Sequence, residues 1–196
     1  MKNLVSLSDK ELIESYVKNN HNRALETLIY RHKEKVYSCI YNLVKDKTKA
    51  DDIFQNVFIK VIDKLKKGEY AHEGKFAHWV VRISYNMCMD KFREKTYTCS
   101  FPEAPEGDSF SLAYIPDSVK EMAIEKEQKI NVIRKMIDLL PGDQRDVVIL
   151  RHYSELSFKE IAVLMGCSVN TALGRMRYGL MNLKRMIVEN DLATAL

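Results

Sequence analysis

Residues 156–180 read LSFKEIAVLMGCSVNTALGRMRYGL, and they spell two short helices around a tight turn. Ser157 and Glu160 stand three apart, so each side chain can satisfy the other's free backbone N–H at a helix start. That helix is predicted through Met165. Gly166 follows, a residue able to take positive φ at a helix end. Ser168 can then cap the next helix. Helix, a turn of three to four residues with Gly, and helix is the helix-turn-helix layout. Small Ala162 sits where the two helices would approach, and Ile161, Met165, Cys167 and Ala172 supply the apolar contacts that would lock them. At about 100° per residue, Val169, Ala172, Met176, Leu180, Leu183 and Ile187 share one sector of the second helix, predicted to face the core. Opposite lie Asn170, Thr171, Gly174, Tyr178, Met181 and Arg185, with Arg175 and Arg177 on the flanks. Such a face can enter a major groove, where Asn and Arg have the donor geometry to read base edges and Arg can also hold phosphate. Gly174 costs about 1 kcal/mol of helix propensity, which points to a reason other than helix stability, such as close backbone approach to DNA. A helical hairpin with a merely wet polar face would share some of this pattern. The capping box, the Ala162–Gly166 spacing and the polar face together favour DNA binding.

Outward from this motif the chain is helical by pattern. Upstream, periodicity runs from Lys120 to Leu140, Pro141-Gly142 ends it, and a further helix fits 143–153. In the N-terminal half, Ser8 and Glu11 form a second capping box ahead of Leu12, Ile13, Tyr16 and Val17. Three more amphipathic helices fit 22–44, 48–66 and about 73–95, the last with Phe76, Val80, Ile83 and Met87 as its stripe. Residues 97–118 break the pattern with Pro102, Pro105, Pro116 and Gly107, which predicts an extended or flexible linker. The expected fold is all-α: a four-helix N-terminal domain over 1–97, an acidic Pro-containing linker over 98–119, and a C-terminal helix-turn-helix domain over 120–190.

Charge follows the same division. Residues 1–97 hold 19 Lys/Arg against 13 Asp/Glu, residues 98–119 hold four acids and no base, and residues 120–196 hold 12 bases against 10 acids. Two basic blocks around an acidic connector suit two separate contacts on a polyanion. Cys39, Cys88, Cys99 and Cys167 are far apart and have no metal-ligand spacing, and the five His residues have none either. They are expected as reduced, small apolar side chains in a cytoplasmic protein. No cofactor, metal or catalytic residue is expected: there is no phosphate-binding GxxxxGK[ST] and no nucleophile or paired-carboxylate constellation. The N-terminus lacks an apolar signal region, and no segment is apolar enough for membrane insertion.

With these residues in view, the chain resembles the extracytoplasmic-function (ECF) RNA polymerase sigma factors of the sigma-70 family. The run from Leu140-Pro141 through Gln144-Arg145 and Leu156-Ser157 to Ser168-Val169-Asn170-Thr171 is similar to the family's region 4, whose helix-turn-helix reads the −35 promoter element. The resemblance implies −35 contacts by Ser168, Asn170, Thr171, Gly174, Arg175, Arg177, Tyr178 and Arg185. Leu173 and Gly174 depart from the commoner pattern, which has a basic residue and a Ser there, and the form NTALGRMRY resembles the Bacteroidetes branch.

The N-terminal half resembles region 2. Asp51-Asp52-Ile53-Phe54-Gln55-Asn56-Val57-Phe58 is similar to the run that docks on the polymerase β′ clamp, which implies core-polymerase contacts by Asp52, Gln55 and Asn56, with Asn56 where an acid is usual. Phe76 through Asn86, then Asp90 and Arg93, are similar to the part that opens the −10 element and captures a flipped base. Melting needs aromatic groups to hold an unstacked base and cations to hold the strand. The implied contacts are Tyr70, His72, Lys75, Trp79, Arg82, Asn86, Lys91 and Arg93, with Lys95 as a further cation. Phe76 is expected in the core. The resemblance also implies contact with the polymerase β flap, a linker threading the polymerase toward its RNA path, and an anti-sigma factor as inhibitor. A rival reading is a stand-alone helix-turn-helix regulator on duplex DNA, which has no use for a clamp-like helix or an aromatic-basic strand-capturing helix.

Overall fold

The computed structural model describes residues 4–71, 74–97 and 130–189, and every regular element among them is helical. The predicted linker over 98–119, Cys99, His72, the side chain of Lys95 and the first part of the helix expected from Lys120 lie outside the described residues. Contacts divide the chain into two compact units.

The first unit begins with a 3-10 turn, Leu4–Ser6, followed by α1 (Asp9–Asn19), α2 (Asn22–Val44), α3 (Lys47–Lys66) and α4 (Phe76–Tyr97). The Ser8–Glu11 capping box forms as predicted, with the Ser8 amide donating to Glu11 at 2.8 Å. Asp46 caps α3 by accepting from the Lys49 amide at 3.0 Å. Helix α2 packs against each of α1, α3 and α4. It buries Leu25, Leu28, Val36, Ile40 and Leu43 against Leu12 and Tyr16, Ile53, Val57 and Val61, and Phe76, Val80 and Val81. Burying side chains of this size contributes about 1.5–3 kcal/mol each, which is why a face of this length holds four helices together. Phe76 is in this core, as expected. Arg31 ties the first turn to α2, donating to the carbonyls of Val5 at 3.1 Å and Leu7 at 2.8 Å and to Asp9.

The second unit is built on α5 (residues 130–138), α6 (Gly142–His152), α7 (Phe158–Leu164) and α8 (Val169–Glu189). The Ser157–Glu160 capping box forms. Gly166 takes φ +62°, the Cys167 amide donates to Ala162 O at 2.9 Å and the Gly166 amide to Val163 O. These paired bonds close α7 around a left-handed residue, and they turn the chain into α8. Ser168 caps α8 by accepting from the Thr171 amide at 3.0 Å. The helix-turn-helix is therefore present from its first cap to its last.

The core sector of α8 differs from the prediction. Leu180 is 51% exposed and Val169 is 37% exposed, while Ala172 and Gly179 are buried. The most buried line runs through Ala172 and Gly179, with Met176, Leu183, Met186 and Ile187 half-buried beside it, rotated away from Leu180 and Val169. The cause is Gly179: a Cβ there would lie 3.3 Å from Val148 Cγ2, so its lack of a side chain lets α6 come close on that side.

Candidate nucleic-acid interface

Three polar contacts or close approaches fix α8 from behind, one per turn. Arg175 pairs with Asp143 at 2.5 Å, Gly179 meets Val148 and Gln144, and Asn182 donates to Gln144 at 2.8 Å. At about 100° per residue this strip lies opposite Asn170, Gly174, Arg177 and Met181. The opposite strip is open: Asn170, Arg177, Tyr178, Met181 and Arg185 are exposed, and a Cβ at Gly174 would meet nothing within 4 Å. A convex helix face that is rigid behind and bare in front can enter a major groove.

The expected −35 set thus divides. Asn170, Gly174, Arg177 and Tyr178 share the bare face. Ser168 and Thr171 are exposed at the helix start but engage each other, their hydroxyls 2.8 Å apart. Arg185 is exposed and within 3.7 Å of Glu189. Arg175 is on the other side, turned to Asp143, where its charge is already matched within the unit. Beside the bare face runs a shallow groove with Phe158, Leu173, Met176 and Leu180 as its walls and Arg177 and Lys184 at its rim.

In the first unit, Trp79, Arg82, Asn86 and Arg93 fall within roughly 40° of one line along α4, with Lys75 just ahead of the helix on the same line. Arg82, Asn86 and Lys75 are exposed, and Arg93 is exposed with Asp90 at 3.6 Å. Trp79 is half-buried. Its ring centroid is 4.5 Å from that of Tyr70, and both rings pack against Phe76. Tyr70 rides on the loop between α3 and α4, which turns at Gly68 and Gly74, both at positive φ (+69° and +72°). Tyr70 on this loop and Trp79 on α4 thus set two packed rings beside a line of cations, an arrangement able to hold an unstacked base and its strand. Lys91 lies off this line by about 150°. It donates to Glu94 at 2.9 Å, which raises its pKa, and Asp52 of α3 adds to the rise. Lys91 therefore faces the α3 side.

On α3, Asp52, Gln55 and Asn56, the expected clamp contacts, form an exposed polar row. Ile59 continues that row one turn on and is 64% exposed. The expected clamp contacts, Asp52, Gln55 and Asn56, do not include it. Behind the row, Tyr37 of α2 donates to Asp51 at 2.8 Å. Its ring packs on Phe54, which packs on Phe58. Burial and the Asp51 carboxylate push the Tyr37 hydroxyl up to about 12.

Comparison with known proteins addresses both units. Residues 28–97 match the family model described as Sigma-70 region 2, and residues 130–176 match the one described as Sigma-70, region 4. Among curated proteins, the ECF RNA polymerase sigma factor SigW of Bacillus subtilis is 27% identical over 87% of this chain and 92% of its own. The RNA polymerase sigma-H factor of Pseudomonas aeruginosa is 27% identical, covering 88% and 90%. The ECF RNA polymerase sigma-E factor of Escherichia coli is 28% identical, covering 86% and 88%. Two solved structures share the fold. CnrH, in complex with the cytosolic domain of CnrY, gives a TM-score of 0.61 at 18% identity, covering 93% of this chain and 99% of that one. The sigma factor RpoE of Bartonella quintana, in complex with the anti-sigma factor NepR, gives 0.64 at 17% identity, covering 83% and 96%.

Proposed function

The chain belongs to the sigma-70 family as an ECF-type RNA polymerase sigma factor, and we propose that it initiates transcription by dividing the work among three surfaces. It is a promoter-directing subunit of RNA polymerase and not an enzyme. The exposed row Asp52, Gln55, Asn56 and Ile59 docks on the core polymerase clamp. The line Lys75, Trp79, Arg82, Asn86 and Arg93, with Tyr70 and the His72 loop, holds the opened −10 strand. The face Asn170, Gly174, Arg177 and Tyr178 reads the −35 duplex. Lys91 belongs with the polymerase-facing side of α3, and Arg175 serves to position α8. Residues 1–97 and 120–190 act as the two domains, with 98–119 as the acidic connector between them. The β flap and an anti-sigma factor are the further partners this reading carries. No helix of the described residues is long and apolar enough to cross a membrane, and we place the protein in the bacterial cytoplasm with the polymerase it serves.

DNA opens in this scheme without nucleotide hydrolysis, because the first unit binds an exposed strand better than the closed duplex. The observation that carries the reading is the coexistence of an outward polar row on α3 and a bare reading face on α8 in one chain. A stand-alone regulator needs only the second. The test is promoter-specific transcription in vitro with core polymerase, using wild type and Asp52→Ala. The expected outcome is transcript from wild type, and weakened core binding by Asp52→Ala with affinity for −35 duplex intact. Absence of any promoter-specific transcript from core polymerase with the wild-type chain would overturn it.

A further inference from the structure

The outward face of α8 is poor in groups that can hydrogen-bond to a base. The Thr171 hydroxyl and amide are both engaged by Ser168, and Arg175 is held by Asp143. In the first three turns that leaves Asn170, Arg177 and the Tyr178 hydroxyl as exposed groups able to hydrogen-bond to a base. The rest of the face and its groove edge are apolar or bare: Leu173 is 44% exposed, Met181 is 55% exposed, and Gly174 has open space before it. Burial elsewhere cannot explain Leu173, since one side of it rests in the groove with Phe158 and Met176 while the other is open. Among the major-groove edges of the four base pairs, the one apolar group is the C5-methyl of thymine.

We propose that the −35 element is read in part through thymine methyl groups, with Leu173 as the specificity-determining side chain that seats one of them. Gly174, next to it, leaves the room for the base edge to come up to the helix. Asn170 and Leu173 are separated by about 4.5 Å along the helix axis, close to the roughly 3.4 Å between successive bases of a strand. The hydrogen-bonding and the apolar contact therefore address neighbouring base pairs. Phe158, Met176 and Leu180 line the groove beside Leu173 and make its surroundings apolar. This inference rests on the assignment of α8 as the −35 reading helix.

The test uses the full chain bound to core polymerase, which selects duplexes from a randomised pool. The enriched −35 duplex is then resynthesised with deoxyuridine at one thymine at a time, a change that removes the methyl and keeps every hydrogen-bonding group. Wild type is expected to lose about fourfold in affinity at one position, the worth of one buried methyl-sized group. Leu173→Ala is expected to bind the thymine and deoxyuridine forms alike. Equal binding of both forms by wild type at every position overturns the proposal, and so does a Leu173→Ala chain that keeps the wild-type penalty. A Leu173→Ala chain that keeps the penalty but loses polymerase affinity makes the groove a protein contact and overturns it equally. Selection of no −35 sequence at all is a different failure, since it removes the reading-helix assignment and this inference with it.

Discussion

Helices α4 and α8, the two proposed DNA-contacting helices, have opposite support. Both are long, amphipathic and lined outward with Asn and Arg. Behind α8 the support is polar and close: the Arg175–Asp143 pair, the Asn182–Gln144 bond and the bare backbone of Gly179 against Val148. Behind the outer face of α4 it is aromatic, with Trp79 leaning on Tyr70 and Phe76, and the His32 ring on Phe76 in turn. The difference suits the two proposed tasks. A duplex is a fixed shape, so its reader is best held rigid with its contacts bare. A single strand has no fixed shape, so its binder offers ring faces on a loop that glycines let turn. On α4 the ligand-facing group is then also part of the packing, whereas on α8 the two roles are carried by different residues.

Trp79→Ala tests that fusion of roles most severely. Removing a half-buried ring from the cluster should lower the unfolding free energy by about 2–3 kcal/mol, read from urea midpoints. The same change should slow promoter opening by ten- to a hundred-fold, the worth of one base–aromatic stack, read as permanganate reactivity of −10 thymines. Trp79→Phe should recover most of the stability. If opening collapsed with no loss of stability, Trp79 would be a pure ligand contact and the contrast with α8 would fail.

On α8 the prediction separates two arginines two residues apart. Arg177→Ala should weaken −35 duplex binding by ten- to a hundred-fold and leave the urea midpoint unmoved. If part of its role is to hold phosphate, the salt slope should also fall by about one. Arg175→Ala should leave the salt slope unchanged, since Asp143 already takes its charge, and should cost a few tenths to 1 kcal/mol of stability for a partly exposed pair. Equal changes of slope in both variants would place Arg175 on DNA.

The fold was legible in the sequence where local chemistry decides it. Both capping boxes, the Gly166 turn and the Ser168 cap are short-range signals, and each formed as the spacing predicts. The rotation of the α8 core was not legible, because a periodicity count weighs large apolar residues and Gly179 contributes no signal. Nor was the Arg175–Asp143 pair, whose partners are on different helices, nor the exposure of Ile59, which depends on where α3 runs out of neighbours. At the candidate site periodicity made the outward turn of Asn170, Tyr178 and Arg185 legible, but not the turn of Arg175 toward another helix.

The two glycines of α8 turn that lesson into a measurement. Gly174→Ala places a methyl in open space and should raise stability by about 1 kcal/mol through helix propensity, while weakening duplex binding. Gly179→Ala gains the same propensity but drives a Cβ to 3.3 Å from Val148 Cγ2 on a buried residue. Overpacking of that kind costs about 1–3 kcal/mol, so the net change should be a loss of about 1 kcal/mol, with DNA affinity following the fold. Thermal melts of the two variants should move in opposite directions. The same sign for both would mean that α6 does not set the rotation of α8.

The smallest effect is expected behind α3, where the two kinds of support meet in one residue. Tyr37 packs its ring in the aromatic seam with Phe54 and gives its hydroxyl proton to Asp51. Its pKa is raised from 10.0 to about 12 by burial and by that carboxylate. The folded state therefore keeps the proton after the unfolded chain has lost it. The stability this contributes is present in full below about pH 10, and it drains away as pH rises from there through about 12. Tyr37→Phe keeps the ring and removes the proton. It should cost roughly 0.5–1.5 kcal/mol at pH 8 for the lost bond, and urea midpoints of the two chains should converge as pH approaches 12. A gap that stayed constant across that range would mean the seam holds Asp51's end of α3 by packing alone, as the rings hold α4. A gap that closed would make the hydrogen bond part of the docking face's support, closer to the polar lock behind α8.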